Sequence, residues 1–234
     1  AERRIGHLYP DATGPNGEKA TPIAWIWART VESPDPTWNG HVPLVTSWML
    51  SNKKGKPKVW IEPVIDRDTQ TITYEIRTGG EPSHERTVEN SNGTCIATGA
   101  AIPAERIDDA ADKRKLLSVP MAIVSEGNPG HRYLPICEDQ VSAIAESALH
   151  RASIPQSDLP HGTTRGTFGG NAQGRYFGFL DFPDYFSDRQ LVALTTFSDL
   201  LPEVRERVIA DAVSRGFVND GVRLRDGGSG ATAY

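Results

Sequence analysis

The side chains in this sequence that could do chemistry are few and widely spaced. There are two thiols, Cys95 and Cys137, and six histidines, His7, His41, His84, His131, His150 and His161. A thiol nucleophile needs a base beside it and a third group that orients the base. Neither cysteine has a His-and-acid pattern nearby, and no acid–base set assembles elsewhere, so no catalytic residue is assigned. Cys137 heads a helical stretch, where the helix dipole would lower a thiol pKa, but its setting fits a half-buried packing thiol. The histidines never fall into the H-x-x-x-H or H-E-x-x-H spacing that puts two ligands on one helix face, and they read as structural or solvent-facing. The Gly-rich stretch Phe168–Gly174 lacks the preceding strand and following helix that a phosphate cradle requires.

Positive charge is better concentrated. Lys53, Lys54, Lys56 and Lys58 are four lysines within six residues, with Gly55 and Pro57 exposing them at a turn between two strand-like runs. A tip of that shape can reach a DNA groove or backbone phosphates. Lys113-Arg114-Lys115 is a smaller basic spot. The formal net charge of −5 argues against coating nucleic acid over the whole surface, though not against one local patch. Two cysteines give no disulfide framework, which suits a reducing cytoplasm. No apolar run reaches the ~18 residues of a membrane span, so no membrane partner is expected. Ala1-Glu-Arg-Arg-Ile-Gly6 does not read as a signal peptide, and a start without Met is expected of a trimmed chain or an internal piece.

The elements that must position these residues are legible in outline. Residues 1–20 hold five Gly or Pro and read as an N-terminal arm, extended or looped. Residues 21–136 read as a β-rich domain. Its strands are predicted over Thr21–Val31, Val42–Ser51, Lys58–Ile65 and Gln70–Arg77, the last two forming a hairpin about Asp66–Thr69. Gly79–Asn92 is polar and predicted mobile. Further on come a short strand pair or knuckle at Cys95–Ile102, a helix over Ala104–Leu117, and short strands at Met121–Ser125 and Arg132–Ile136. Residues 137–234 read as a helical region. It has helices over Glu138–Arg151 and Ser187–Arg215, with a long Gly-rich loop, 153–184, between them. Ser187–Gln190 is a capping-box pattern, and Pro202 should kink or split the helix it opens. The stripe Leu191, Leu194, Phe197, Leu201, Val204, Val208 and Ala212 gives that helix an apolar face.

Strand, turn at Ser33–Gly40, strand, hairpin, second turn at Thr94–Gly99: this is the layout of a zinc ribbon. The ligand positions of those two turns carry Ser33, Trp38, Cys95 and Thr98. A structural zinc wants four nitrogen or sulfur ligands, which this set does not supply, even with His41 nearby. The expected fold class is therefore α+β: an antiparallel, zinc-ribbon-like β region without metal, followed by a helical region. Packing should replace the metal, with Trp38 as a core plug.

Taken in order, several segments resemble a known family. They are Arg4-Ile-Gly-His-Leu-Tyr-Pro10, Ile23-Ala-Trp-Ile-Trp-Ala-Arg-Thr-Val31, Pro43-Leu-Val45, Thr94-Cys95 with Gly99, Met121-Ala-Ile-Val-Ser-Glu-Gly127, Tyr133-Leu-Pro135, and Arg189 to Leu200. They are similar to the middle of the large bacterial and archaeal adenine-specific DNA methyltransferases that carry a zinc-ribbon insert, some of them encoded in phage-defence clusters. The family's ribbon reads Cys-Pro-x-Pro-x-Cys-Gly and then Cys-x-x-Cys-Gly, so the metal ligands are largely lost here. The family also uses a Gly-rich loop for S-adenosylmethionine and an (Asn/Asp)-Pro-Pro-Tyr box for the flipped adenine. Neither occurs in this chain; Phe182-Pro-Asp-Tyr185 lacks the double proline and reads as an aromatic anchor. The resemblance implies an accessory insert of a methyltransferase, with no cofactor of its own and S-adenosylmethionine belonging to the full-length protein. It implies DNA as partner through the parent protein, contact with the flanking methyltransferase core, and docking of defence-complex proteins as the rival role.

Overall fold

The computed structural model describes residues 1–127, 130–163, 174 and 177–233. Positions 128 and 129 of the turn before Gly130, and 168–173 of the Gly-rich stretch, lie outside the described residues. The chain is a mixed α+β protein, and the strand pairings among the described residues are antiparallel.

In chain order the elements are α1 (Glu2–Ile5), β1 (Ala12–Thr13), β2 (Lys19–Ala20), β3 (Pro22–Glu32), β4 (His41–Leu44), β5 (Met49–Ser51), β6 (Val59–Asp66) and β7 (Thr71–Thr78). There follow β8 (Val88–Glu89), β9 (Asn92–Thr94), β10 (Ala101–Ile102), α2 (Ala104–Asp112), β11 (Leu117–Gly127), β12 (Gly130–Leu134), α3 (Glu138–Ser153) and α4 (Asp188–Ser214). The central sheet runs β12-β11-β3-β4, a second runs β5-β6-β7, a third β10-β9-β8, and β1-β2 is a small hairpin.

The long strands β3 and β11 carry the architecture because alternation gives each of their faces a different job. On β3, Ile26 and Ala28 face a core shared with Val45, Trp48, Ile61 and Met121, which joins the central sheet to β5-β6-β7. Trp25, Trp27 and Arg29 face the other way. A second core unites Val31, Trp38, Val42, Cys95 and Ile102 with Ile107 and Ala111 of α2. The β6–β7 hairpin pairs from Val59↔Thr78 to Asp66↔Thr71, and the Asp66 carboxylate accepts the Asp68 and Thr69 N–H groups to close its turn.

Several expectations are corrected. Val42–Ser51 is not one strand. The chain leaves the central sheet after Leu44, the Val45 N–H donates to Thr87 Oγ1 at 2.7 Å, and β5 then joins a different sheet. The polar stretch 79–92 is fastened at several points: Glu81 pairs with Lys58, Trp48 Nε1 donates to the Glu85 carbonyl at 2.8 Å, and Thr87 is buried. Helix α2 stops at Asp112 because Arg114 takes a left-handed conformation (φ +55°), which lets Leu116 enter the core before β11 begins. Residues 1–20 hold α1, a 3-10 turn (Gly6–Leu8) and β1–β2. Ile5 and Leu8 are buried against Val192 of α4. Pro202 lies inside α4 without ending it. The apolar stripe of α4 is not core-facing along its length: Leu191 and Val192 are buried, but Leu194, Phe197, Leu201, Val204 and Val208 are exposed.

Candidate functional site

The lysine turn connects β5 to β6. A Lys56 N–H to Lys53 carbonyl bond of 3.1 Å closes it, and Gly55 takes φ +78° with open space around it, a conformation glycine adopts without a Cβ penalty. Lys53, Lys54 and Lys56 are exposed and make no ion pair among the described residues. Lys58 is different: it is partly buried and paired with Glu81. The structure therefore separates the four lysines into three free charges at the tip and one neutralised at the base. Lys113 pairs with Asp109 at 2.7 Å, and Arg114 is engaged by Asp181 and Asp184. The second basic spot is thus largely spent internally.

The four ribbon positions lie in one region of the core. Ser33 Oγ donates to Cys95 Sγ at 3.4 Å, and Cys95 and Trp38 belong to the same buried cluster. Burial pushes the Cys95 thiol up. Hydrogen bonds from Ser33, from the Thr98 side chain, and from backbone N–H groups of Thr98 and Ala97 outweigh this and leave it below its ordinary value. Thr98 Oγ1 accepts the Ala100 N–H at 3.3 Å. The two turns are closed by their own backbones: Ser33 N–H to Gly40 carbonyl, Trp38 N–H to Asp35 carbonyl, and Gly99 N–H to Cys95 carbonyl. His41, the remaining nitrogen ligand nearby, is instead hydrogen-bonded through Nδ1 to Thr30 Oγ1 at 3.2 Å.

A third feature was not found from the sequence. A cleft of about 800 Å³ opens between the outer face of β3 and the start of α4. Its floor is a stack around Arg189, which is 4% exposed. The guanidinium lies 3.9 Å over the Trp25 ring and 5.0 Å from the Tyr9 ring centroid, and Nη1 donates to the Leu8 carbonyl at 3.1 Å. Trp25 Nε1 in turn donates to Gln140 of α3, whose Nε2 donates to the Pro10 carbonyl. Burial lowers the Arg189 pKa, and the nearby Tyr9 partly restores it. Stacked on Trp25 and bonded to the Leu8 carbonyl, Arg189 is a clamp between α4, β3 and the N-terminal segment. Arg29 lines the rim, 5.2 Å over Phe179, with Nη1 on Ser118 Oγ at 2.7 Å. Its Nε is buried and has no hydrogen-bond partner among the described residues. Tyr185 and Phe186 supply further aromatic surface. Asp184 is no general base there. It is held by Arg114 and accepts the Leu180 and Asp181 N–H groups, both at 2.8 Å. Among the described lining residues, the aromatic rings and Arg29 offer a stacking and cationic surface, beside the carboxylates of Asp184 and Asp188. The only sequence signal for it was the cluster of aromatics and arginine in Trp25–Arg29.

No family model, curated protein or solved structure matches this chain. No helix among the described residues is long and apolar enough to cross a membrane.

Proposed function

We propose that this chain is an accessory DNA-binding module of an adenine-specific DNA methyltransferase of the zinc-ribbon-insert type, which positions duplex for a catalytic core located elsewhere in the protein. The observation that carries the reading is the group of three unpaired lysines, Lys53, Lys54 and Lys56, on an exposed tip. Lysine contacts to phosphate supply affinity and orientation without sequence information, which suits a positioning role. The chain is proposed to bind no cofactor itself, S-adenosylmethionine belonging to the flanking core. The ribbon-like turns are proposed to be held by the Trp38 core and the Ser33–Cys95 contact in place of metal.

The test is a titration of short unrelated DNA duplexes at several salt concentrations. Each phosphate contact contributes ~0.9 to the slope of log affinity against log salt, so replacing Lys53, Lys54 and Lys56 with Gln should reduce the slope by up to about 2.7. Lys58→Gln alone should change it far less, because Glu81 already neutralises that charge. Equal slopes for the triple variant and the parent would refute DNA contact through this tip. A second reading, docking of a protein partner, is supported by the exposed apolar residues Phe197, Leu201 and Val204 of α4. It takes over if the parent chain binds no duplex at low salt.

A further inference from the structure

We propose that His7, Glu146 and His150 form a binding site for a divalent transition-metal ion of the zinc class, which clasps the N-terminal turn onto α3. His7 is distant in sequence from the other two, and the three show no metal motif. Folding brings their ligand atoms within 4.8 Å of one another. Glu146 and His150 stand four apart on α3 and so share one helix face. His7 arrives from the 3-10 turn Gly6–Leu8.

The spacing is close to that of ligands around one metal ion. Zinc bonds to nitrogen and carboxylate oxygen at ~2.0–2.2 Å, which puts neighbouring ligand atoms of a tetrahedron about 3.3–3.6 Å apart. His7 Nε2 lies 3.4 Å and His150 Nε2 lies 3.8 Å from the same Glu146 oxygen. The two imidazoles are tilted by 55° at 5.7 Å between centroids, so their nitrogens converge on the carboxylate and the rings do not stack. A small rotation of either ring completes a His-His-Glu triangle, with water as fourth ligand. The side chains are 44–48% exposed, so an ion can enter from solvent.

The supports on both sides are already rigid. Next to His7, Leu8 is fully buried and its carbonyl accepts from Arg189. Next to Glu146, Ser147 is 1% exposed and donates to the Ile144 carbonyl. Gln140, one helical stretch earlier, is tied to Pro10. The backbone that carries each ligand is therefore fixed before any ion arrives, which leaves only side-chain rotation to be ordered on binding.

The experiment is titration of the full chain, free of any affinity tag, with Zn²⁺ by calorimetry and with Co²⁺ by visible absorption at neutral pH. One ion per chain is expected, with cobalt bands that lack a thiolate charge-transfer component. His7→Ala, His150→Ala and Glu146→Gln should each weaken binding by about tenfold or more, since even losing a residue that only orients a ligand costs about 10–100-fold. His131→Ala, an exposed control, and Cys95→Ser should bind like the parent. Far-ultraviolet circular dichroism of each variant should match the parent, because the three side chains lie on the surface. Absence of stoichiometric binding, or binding that survives the His7→Ala/His150→Ala double change, overturns the proposal.

Discussion

Replacing Trp38 with Ala is the sharpest test of how the two ribbon-like turns are held. The indole is 3% exposed and belongs to the cluster of Val31, Val42, Cys95, Ile102 and Ile107. Its neighbours in that cluster belong to β3, β4, the turn after β9, β10 and α2, so no single side chain can move to fill the space. Truncating a large aromatic in such a core costs about 3–5 kcal/mol. For a chain of this size each kcal/mol corresponds to about 2–4 °C, so the melting temperature should fall by roughly 6–20 °C. Cys95→Ala removes far less volume, together with the weak hydrogen bonds its sulfur receives from Ser33, Thr98 and Ala97, and should cost about 1 kcal/mol, the centre of the distribution for point changes. The assay is thermal and urea unfolding of each variant, with and without a strong chelator. If packing holds the turns, any effect of chelation will be the same in the parent and in Cys95→Ser. Two results would refute the argument. One is a Trp38→Ala cost below about 1 kcal/mol, far under the core-truncation range. The other is a chelator effect that disappears when Cys95 is replaced.

Glu62 predicts an acid-sensitive fastening of the stretch 79–92. Burial raises its pKa, but hydrogen bonds from Ser83, Trp60 and His84 prevail and bring it down to about 2, from an ordinary 4.5. The depressed value means that its stabilisation is complete above the unfolded-state pKa and is lost as pH falls through about 2. Urea unfolding followed between about pH 5 and pH 2 should show a steeper loss for the parent than for Glu62→Gln; parallel curves would count against it. A further expectation concerns chemistry: the isolated chain incubated with labelled S-adenosylmethionine and adenine-containing duplex should leave the DNA unlabelled. Labelled DNA would sink the accessory-module reading.

What was legible in the sequence was local. Alternation of Ile72, Tyr74 and Ile76 and the Asp66 turn give the β6–β7 hairpin almost to the residue. The Ser187–Gln190 box marks the start of α4, and both of its reciprocal hydrogen bonds are present. What escaped was pairing at a distance. A strand pattern reports its period and not its partner, so nothing in Val42–Ser51 revealed that its two halves belong to different sheets. Arg189 sits in a polar first turn, where a charged residue is ordinary, and only the tertiary fold puts it against Trp25. The stripe on α4 has the periodicity of a core face, yet periodicity cannot say whether anything covers it. His7 and His150 looked unrelated because helical spacing rules see only neighbours on one element.

The clasp around Arg189 has a consequence for synthesis on the ribosome. Tyr9 and Arg189 are 180 residues apart, and the cluster that buries Ile5 and Leu8 is complete once Val192 joins Ile154 in it. At translation rates of about 5–20 residues per second, the N-terminal segment waits roughly 9–36 s before its partner exists. During that interval its apolar side chains are open to solvent, and the earlier strands must collapse without the helix that later covers one end of them. A nascent chain stalled before residue 189 would therefore be a better chaperone client and a better protease substrate at its N-terminus than the finished protein. Synonymous changes that slow elongation between α3 and α4 would lower yield without altering a single residue.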